Sequence, residues 1–300
     1  MPATHGRADP IVRLRAAGSS PHDESNRTVA ETNWRLVACP PSGAGATFYQ
    51  PWAAPPAAQD CALLSVRYPG RESRFREPFA ASVAELADEV AAALLDLLRR
   101  EPALPTAVLG HSMGAGVAAE VVSRVEAETP GSIGLLALSA KGDPRDNSAR
   151  GADSPASGGL MRRLFGRKAS PARASGQTVE QIVATDASLT AWMRDLGGTP
   201  QALLDDPDFM AMQLPIMRAD LLMSHQHATI LAPFDVPLML LAAADDPVSP
   251  ADSMRGWAEV TTSAVTERVI PGGHHGLLAP EADVVGMVRD AILGQNRGTV

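Results

Sequence analysis

VLGHSMGAG, residues 108–116, sets a single serine, Ser112, between Gly110 and Gly114. The apolar run TAVLG (106–110) before it reads as a strand, and MGAGVAAEVVSRVEA (113–127) after it reads as a helix. G-x-S-x-G between a strand and a helix is a nucleophile elbow. The turn is so tight that side chains at the two glycine positions would clash. It strains the serine backbone and lifts the hydroxyl clear of the sheet. The N–H groups that follow open a helix, where a developing oxyanion is stabilised. GAGVAA (114–119) also fits a dinucleotide fingerprint. Its first glycine, however, falls inside the helix, and no acidic residue ends the next strand to hold a ribose.

The same alternation runs outward from the elbow. WRLVAC (34–39), CALLSVRY (61–68), SIGLLALSA (132–140), VPLMLLAA (236–243) and VTERVI (265–270) read as strands. SVAELADEVAAALLDLL (82–98), SPADSMRGWAEV (249–260) and APEADVVGMVRDAIL (279–293) read as helices, the first opened by a Ser82/Glu85 capping box. Strand and helix in alternation predict a mostly parallel sheet covered on both faces, an α/β fold. Residues 1–32 lack a sustained period and are expected to form a disordered tail ahead of a domain over 33–300. Within that domain, residues 143–177 are rich in Pro, Gly, Ser and Arg and read as a flexible insertion. Residues 178–232 turn helical in short pieces and read as an inserted helical unit. No internal repeat is visible.

Composition narrows the function. A length of 300 residues allows one large domain or two small ones, and 45% hydrophobic with 20% charged residues suits a soluble globular chain. The net charge of −8 argues against nucleic-acid binding and against anionic membranes. No apolar run reaches membrane-spanning length, MPATHGRADP has no secretory h-region, and the cytoplasm is the expected compartment. Cys39 and Cys61 make neither a disulfide framework nor a zinc pattern. They are expected as reduced thiols. His225 and His227 stand two apart, a spacing that points them in different directions on a helix, so no metal site is expected.

A serine nucleophile needs a base, and the base needs an orienting acid. In this fold the chain order is Ser, then Asp or Glu, then His. LLAAADDPVS (240–249) supplies Asp245 and Asp246 just after a strand, and VIPGGHHGLL (269–278) supplies His274 and His275 just after the last one. Both lie beyond the carboxyl ends of parallel strands, where such sheets carry their sites. Gly272 and Gly273 let that loop bend an imidazole over the serine.

Several stretches together resemble one family, the type II thioesterases that serve polyketide synthases and nonribosomal peptide synthetases, within the α/β-hydrolase superfamily. They are CPPSGAGATFYQPWA (39–53), VRYPGRESR (66–74), LGHSMGAG (109–116), LGGTPQALLDDPDFMAMQLPIMRADL (196–221), DDPVSP (245–250) and PGGHHGLL (271–278). The resemblance implies an α/β-hydrolase fold in which residues 178–232 form a lid. It implies Ser112 as nucleophile, Asp246 rather than Asp245 as the acid, and His274 as base. The backbone N–H groups of Met113 and Ser42 would form the oxyanion hole, since Pro40 and Pro41 cannot donate. The sequence departs from the family at CPPSGAG, where an aromatic-Pro-x-Ala-Gly-Gly run is usual. Further departures are Ala243, where glycine is common, and His275–Gly276, where aromatics are favoured. These departures bear on the shape of the acyl pocket more than on the chemistry.

The implied activity is hydrolysis of acyl thioesters on the phosphopantetheine arm of an acyl or peptidyl carrier protein, by a monomer that needs no cofactor and no metal. In the inserted helices Met193, Met210, Met212, Met217, Leu221, Leu222 and Met223 are candidates to line an adaptable acyl pocket. MRRLFGRKA (161–169) is a basic island suited either to steering an acidic carrier or to lying solvated in a loop. A carboxylesterase or lipase of the same fold would use the same three residues. A non-catalytic carrier-binding partner would have no need of the intact set.

Overall fold

β2 (Trp34–Cys39) is buried along its whole length, as a strand flanked on both sides and covered on both faces must be. In a computed structural model that describes residues 8–15, 32–58, 60–143, 177–227 and 231–295, it pairs parallel with β3 (Cys61–Val66) and with β4 (Thr106–His111). β5 (Leu135–Ser139), β6 (Leu238–Ala243) and β7 (Val265–Ile270) extend the sheet, all parallel. With a short strand β1 (Ile11–Arg13) at the edge, the strand order is β1-β3-β2-β4-β5-β6-β7. The apolar runs that define β4, β5 and β6 have every residue buried. Arg35 is the charged exception within β2. Its guanidinium donates to Thr106 Oγ1, Glu101 Oε2 and the Pro102 carbonyl at 3.0, 3.0 and 3.3 Å, which satisfies a charge that burial would otherwise penalise.

Helices α1 (Val83–Arg100) and α2 (Met113–Glu128) cover one face, packing Val90, Leu94, Val117 and Val121 against Val37 and Val108. The final helix (Val284–Gln295) covers the other, with Val288 and Ile292 against Trp34 and Leu36. Between β5 and β6 the chain leaves the sheet and forms α3 (Val179–Val183), α4 (Asp186–Leu196), α5 (Gln201–Leu204) and α6 (Pro207–Gln226). These helices bury their own apolar cluster, built on Ile182, Leu189, Leu204 and Leu214.

Each expected strand forms; the helices differ in detail. Ser82 caps α1 through the Glu85 N–H, but the Glu85 carboxylate reaches back to the Ala81 N–H rather than to that of Ser82. The helix expected over 249–260 is a short α-turn, Ala251–Met254, followed by a 3₁₀ stretch, Arg255–Val260. The last helix starts at Val284, not 279, because Asp283 adopts a left-handed conformation with φ of 42°.

One correction falls in the segment assigned to a disordered tail over 1–32. Ile11–Arg13 forms β1 (IVR), antiparallel to β3, and Ile11 is buried. A strand of three residues is too short to show a period, and it is held by partners distant in sequence: β3, and Glu101, whose carboxylate pairs with Arg13 at 3.1 Å. Residues 144–176, which contain most of the expected insertion and the basic island at 161–169, lie outside the described residues.

Ile11→Ala should lower the unfolding free energy by about 2 kcal/mol, the low end for a buried aliphatic truncation. Arg13→Ala, which breaks an exposed pair, should change it by less than about 1 kcal/mol. Urea denaturation of the two variants checks the contrast.

Candidate active site

The turn at Ser112 is as constrained as its sequence implies. Ser112 has φ 54° and ψ −120°, a conformation that side-chain-bearing residues avoid and that persists only where the surroundings enforce it. A Cβ on Gly110 would stand 2.2 Å from the Gly114 carbonyl oxygen, and one on Gly114 would stand 2.1 Å from the Cys39 oxygen. Both glycines are therefore required by backbone contacts. The Ser112 N–H is tied to the Ser139 carbonyl at the end of β5, 2.8 Å away. GAGVAA lies inside α2, where Gly116 packs against the His227 ring.

Three side chains from three strand ends meet here. His274 Nε2 is 3.1 Å from Ser112 Oγ, and His274 Nδ1 is 2.9 Å from Asp246 Oδ2. The other Asp246 oxygen accepts the N–H groups of Val248 and Ser249 at 2.8 and 3.2 Å. Burial works to raise the Asp246 carboxyl, but the His274 contact and these two N–H groups outweigh it and hold it below the usual carboxylate value. An ionised carboxylate at Nδ1 requires the proton there and leaves Nε2 to accept from the serine hydroxyl. Asp245, the other candidate, is exposed, and its N–H bonds to the Gly272 carbonyl.

Met113 opens α2, so its N–H has no partner four residues back. Ser42 follows the β2 strand end and lines the same cleft as Ser112. The cleft encloses about 1140 Å³. Its lining includes apolar side chains, among them Ile182, Trp192, Phe209 and Leu221, and polar ones, among them Lys141, Ser224, His225 and Ser253. Burial pushes the Lys141 ammonium down to about 8, and its Nζ donates to Ser224 Oγ at 2.8 Å.

Of the side chains proposed to line an acyl pocket, Met193, Met217 and Leu221 do so. Met210 and Leu222 pack among the inserted helices, Met223 joins the main core, and Met212 is exposed. A helix that touches both core and cleft presents different faces to each, and the composition alone does not say which. His225 and His227 diverge as their spacing requires: His225 approaches Glu180 at 3.5 Å, and His227 bonds the buried Glu120 of α2 at 3.0 Å.

The sequence profile of the thioesterase domain matches residues 34–292. This chain belongs to the thioesterase family. It is 30% identical over 246 residues to a probable cadicidin biosynthesis thioesterase of Streptomyces griseus, covering 80% of this chain but only 57% of that one. It is also 30% identical over 243 residues to thioesterase PikA5 of Streptomyces venezuelae, covering 80% and 74%. The type II thioesterase BorB from the borrelidin biosynthetic cluster superposes with a TM-score of 0.63 at 26% identity, over 96% of this chain and 99% of that one. The architecture is accordingly the α/β-hydrolase fold of the thioesterases.

Within this thioesterase frame, two further histidines surround the base. His111, His274 and His275 cluster with ring centroids 5.1 to 5.7 Å apart, and Phe48 stacks on His111 at 5.9 Å. Burial, then the charge of its neighbours His274 and His275, holds the His111 imidazole well below its usual value. Burial and then His274 push His275 down to about 4, against the opposing effects of Asp246 and a hydrogen bond with the Gly197 backbone. The signal was present in the letters, since three of the seven histidines fall in GHSMG and GGHHG, the stretches that meet at the site.

Gly114→Ala should abolish labelling of Ser112 by a fluorophosphonate probe and cost more than about 2 kcal/mol of stability, because the new methyl meets backbone rather than a yielding side chain. His275 titrates at about 4 in the fold but near its ordinary value when unfolded, so the unfolded chain binds more protons between pH 4 and 6.5. Stability should therefore fall as pH drops through that window. His275→Gln should reduce the slope of unfolding free energy against pH there by up to about one proton, as read from urea unfolding at several pH values.

Proposed function

We propose that the chain is a serine thioesterase that removes acyl groups from the phosphopantetheine arms of carrier proteins in polyketide or nonribosomal peptide biosynthesis. The observation that carries this reading is the hydrogen-bonded series Ser112–His274–Asp246 at the mouth of a large cleft. The biosynthetic pathways named for its relatives support the substrate class.

His274 Nε2 takes the hydroxyl proton as Ser112 Oγ bonds to the thioester carbonyl carbon. The carbonyl oxygen becomes an oxyanion against the N–H groups of Met113 and Ser42. As the tetrahedral centre collapses, the carbon–sulfur bond breaks and the thiolate takes the proton from His274. Water then attacks the acyl-serine, giving its proton to His274. Oγ leaves with that proton, and the free acid departs. Asp246 stays ionised throughout and stabilises the imidazolium. Helices α3–α6 act as the lid, and the apolar side chains they bring to the cleft, Ile182, Trp192, Phe209 and Leu221, take the acyl chain. The partner is the acyl or peptidyl carrier protein, met by a monomer in the cytoplasm.

Intact-mass spectrometry of an acyl-loaded carrier protein should show loss of the acyl mass with the wild type and none with Ser112→Ala, faster than a p-nitrophenyl ester is cleaved. Rapid ester cleavage with the carrier left loaded would replace this reading with a general esterase. On the thioester substrate, Asp246→Asn should lower kcat about 10³- to 10⁴-fold, as expected when the tautomer-fixing acid is lost. Asp245→Asn should change it by less than about threefold, since an exposed neighbour outside the relay fixes no tautomer.

A further inference from the structure

PGRE (69–72) and RAD (218–220), two of the runs that carry the family resemblance, contribute no group to the reacting centre, yet they meet beside it. Arg71 Nη1 and Nη2 donate to Asp220 Oδ2 and Oδ1 at 2.6 and 2.8 Å, and the two side chains are 5% and 2% exposed. Arg71 Nε donates to the Pro69 carbonyl of its own turn at 3.4 Å, and both groups also bond to one loop. Asp220 Oδ2 also accepts the Gly43 N–H at 2.8 Å, and Arg71 Nη1 also donates to the Ala44 carbonyl at 3.0 Å. Gln213, two turns earlier on α6, donates to the Gly43 carbonyl at 2.8 Å. The polar backbone groups that directly follow Ser42 are thus held from outside the loop.

The contact is also steric. Gly43 has φ of 76°, and a Cβ there would stand 2.4 Å from Met217 Cε on the same helix. Farther along, Glu72 accepts from the Thr47 N–H and hydroxyl at 3.1 and 3.0 Å. The PGRE turn therefore holds the loop at Ala44 and Thr47, and α6 holds it at Gly43, directly after Ser42. A buried ion pair contributes little net stability over apolar packing, because desolvation offsets the attraction. Its bidentate geometry, however, fixes position closely.

We propose that Arg71 and Asp220 are positioning residues that hold the Ser42 N–H on the oxyanion, and that this donor is in place only while α6 is seated on the loop. The inference rests on the proposed function through the role of Ser42. Neither residue touches substrate. Because Asp220 and Gln213 belong to an inserted helix, outward movement of α6 releases Gly43 and with it the oxyanion donor. Entry to the cleft and competence for chemistry are thereby linked through one pair.

The experiment compares Asp220→Asn, Arg71→Lys and the double variant with the wild type on an acyl N-acetylcysteamine thioester, well below their unfolding temperatures. Each single variant should lose about 100-fold in kcat, as when an oxyanion donor is removed, with KM changed less than about threefold. Affinity for a boronic acid that mimics the tetrahedral centre should fall in step with kcat/KM. Amides of residues 42–46 should exchange with solvent faster. The double variant should be no slower than either single one, because both act through one pair. Arg35→Lys, which disturbs a buried arginine at the opposite end of β2, should lower stability and leave kcat unchanged. A lower Tm with unchanged kcat in Asp220→Asn, or additive losses in the double variant, overturns the proposal. Absence of wild-type turnover overturns the thioesterase reading instead. Exchange at residues 42–46 then decides the loop claim alone: unchanged exchange in Asp220→Asn overturns it, and faster exchange sustains it.

Discussion

The close approach of three backbone segments at the elbow is the constraint on which the rest of this structure depends. β2 ends at Cys39, whose carbonyl lies against Gly114, and β4 ends beside it at His111 with Gly110 against the same turn. Any side chain at either glycine would drive the strands apart or straighten the turn. With the contact in place, Ser112 has nowhere to go but outward. α2 must then start immediately, and the first turn of that helix faces the space above the sheet. Chain direction does the rest. Because the strands around β4 run parallel, the loops after β2, β4, β6 and β7 all emerge on one edge, and each brings one component to the same few ångströms.

Electrostatics then separates groups that look alike in sequence. Asp245 and Asp246 are adjacent, but only the second is turned inward, where two backbone N–H groups and an imidazole keep it charged. His274 and His275 are adjacent too. One stands between an acid and a hydroxyl; the other is pressed against the inserted helices at Gly198 and is kept neutral by burial. With Asp246 held ionised and the neighbouring imidazoles of His111 and His275 costly to charge, proton transfer is favoured along the line from Ser112 to His274.

The sheet was legible because its strands are long apolar runs separated by amphipathic or capped helices, and the elbow was legible because its glycines answer to a local steric rule. Chain order narrowed the acid and base to two adjacent pairs of residues. Choosing within each pair took either the family likeness or the geometry, since Asp245 and Asp246 differ only in which way a short loop turns them. What escaped the sequence depends on distant partners. β1 is three residues whose strand character comes from β3. The inward faces of α6 depend on where that helix lands, which is why Met212 is exposed while Met217 lines the cleft. Arg71 and Asp220 were visible as parts of two motifs, but no local rule pairs residues so far apart.

The inserted helices leave the sheet after β5 and return at β6, and those two strands are neighbours joined by continuous pairing from Leu136↔Leu238 to Ser139↔Leu241. The whole excursion is therefore a closed detour hung from a zipped seam. Its ends are fixed by main-chain bonds that do not depend on what the detour contains. Evolution can lengthen, shorten or rewrite it while the reacting groups keep their places on the strand ends. A change in the shape of the cleft and a change in the groups at the strand ends thus fall on separate stretches of one chain, which the Arg71–Asp220 pair joins.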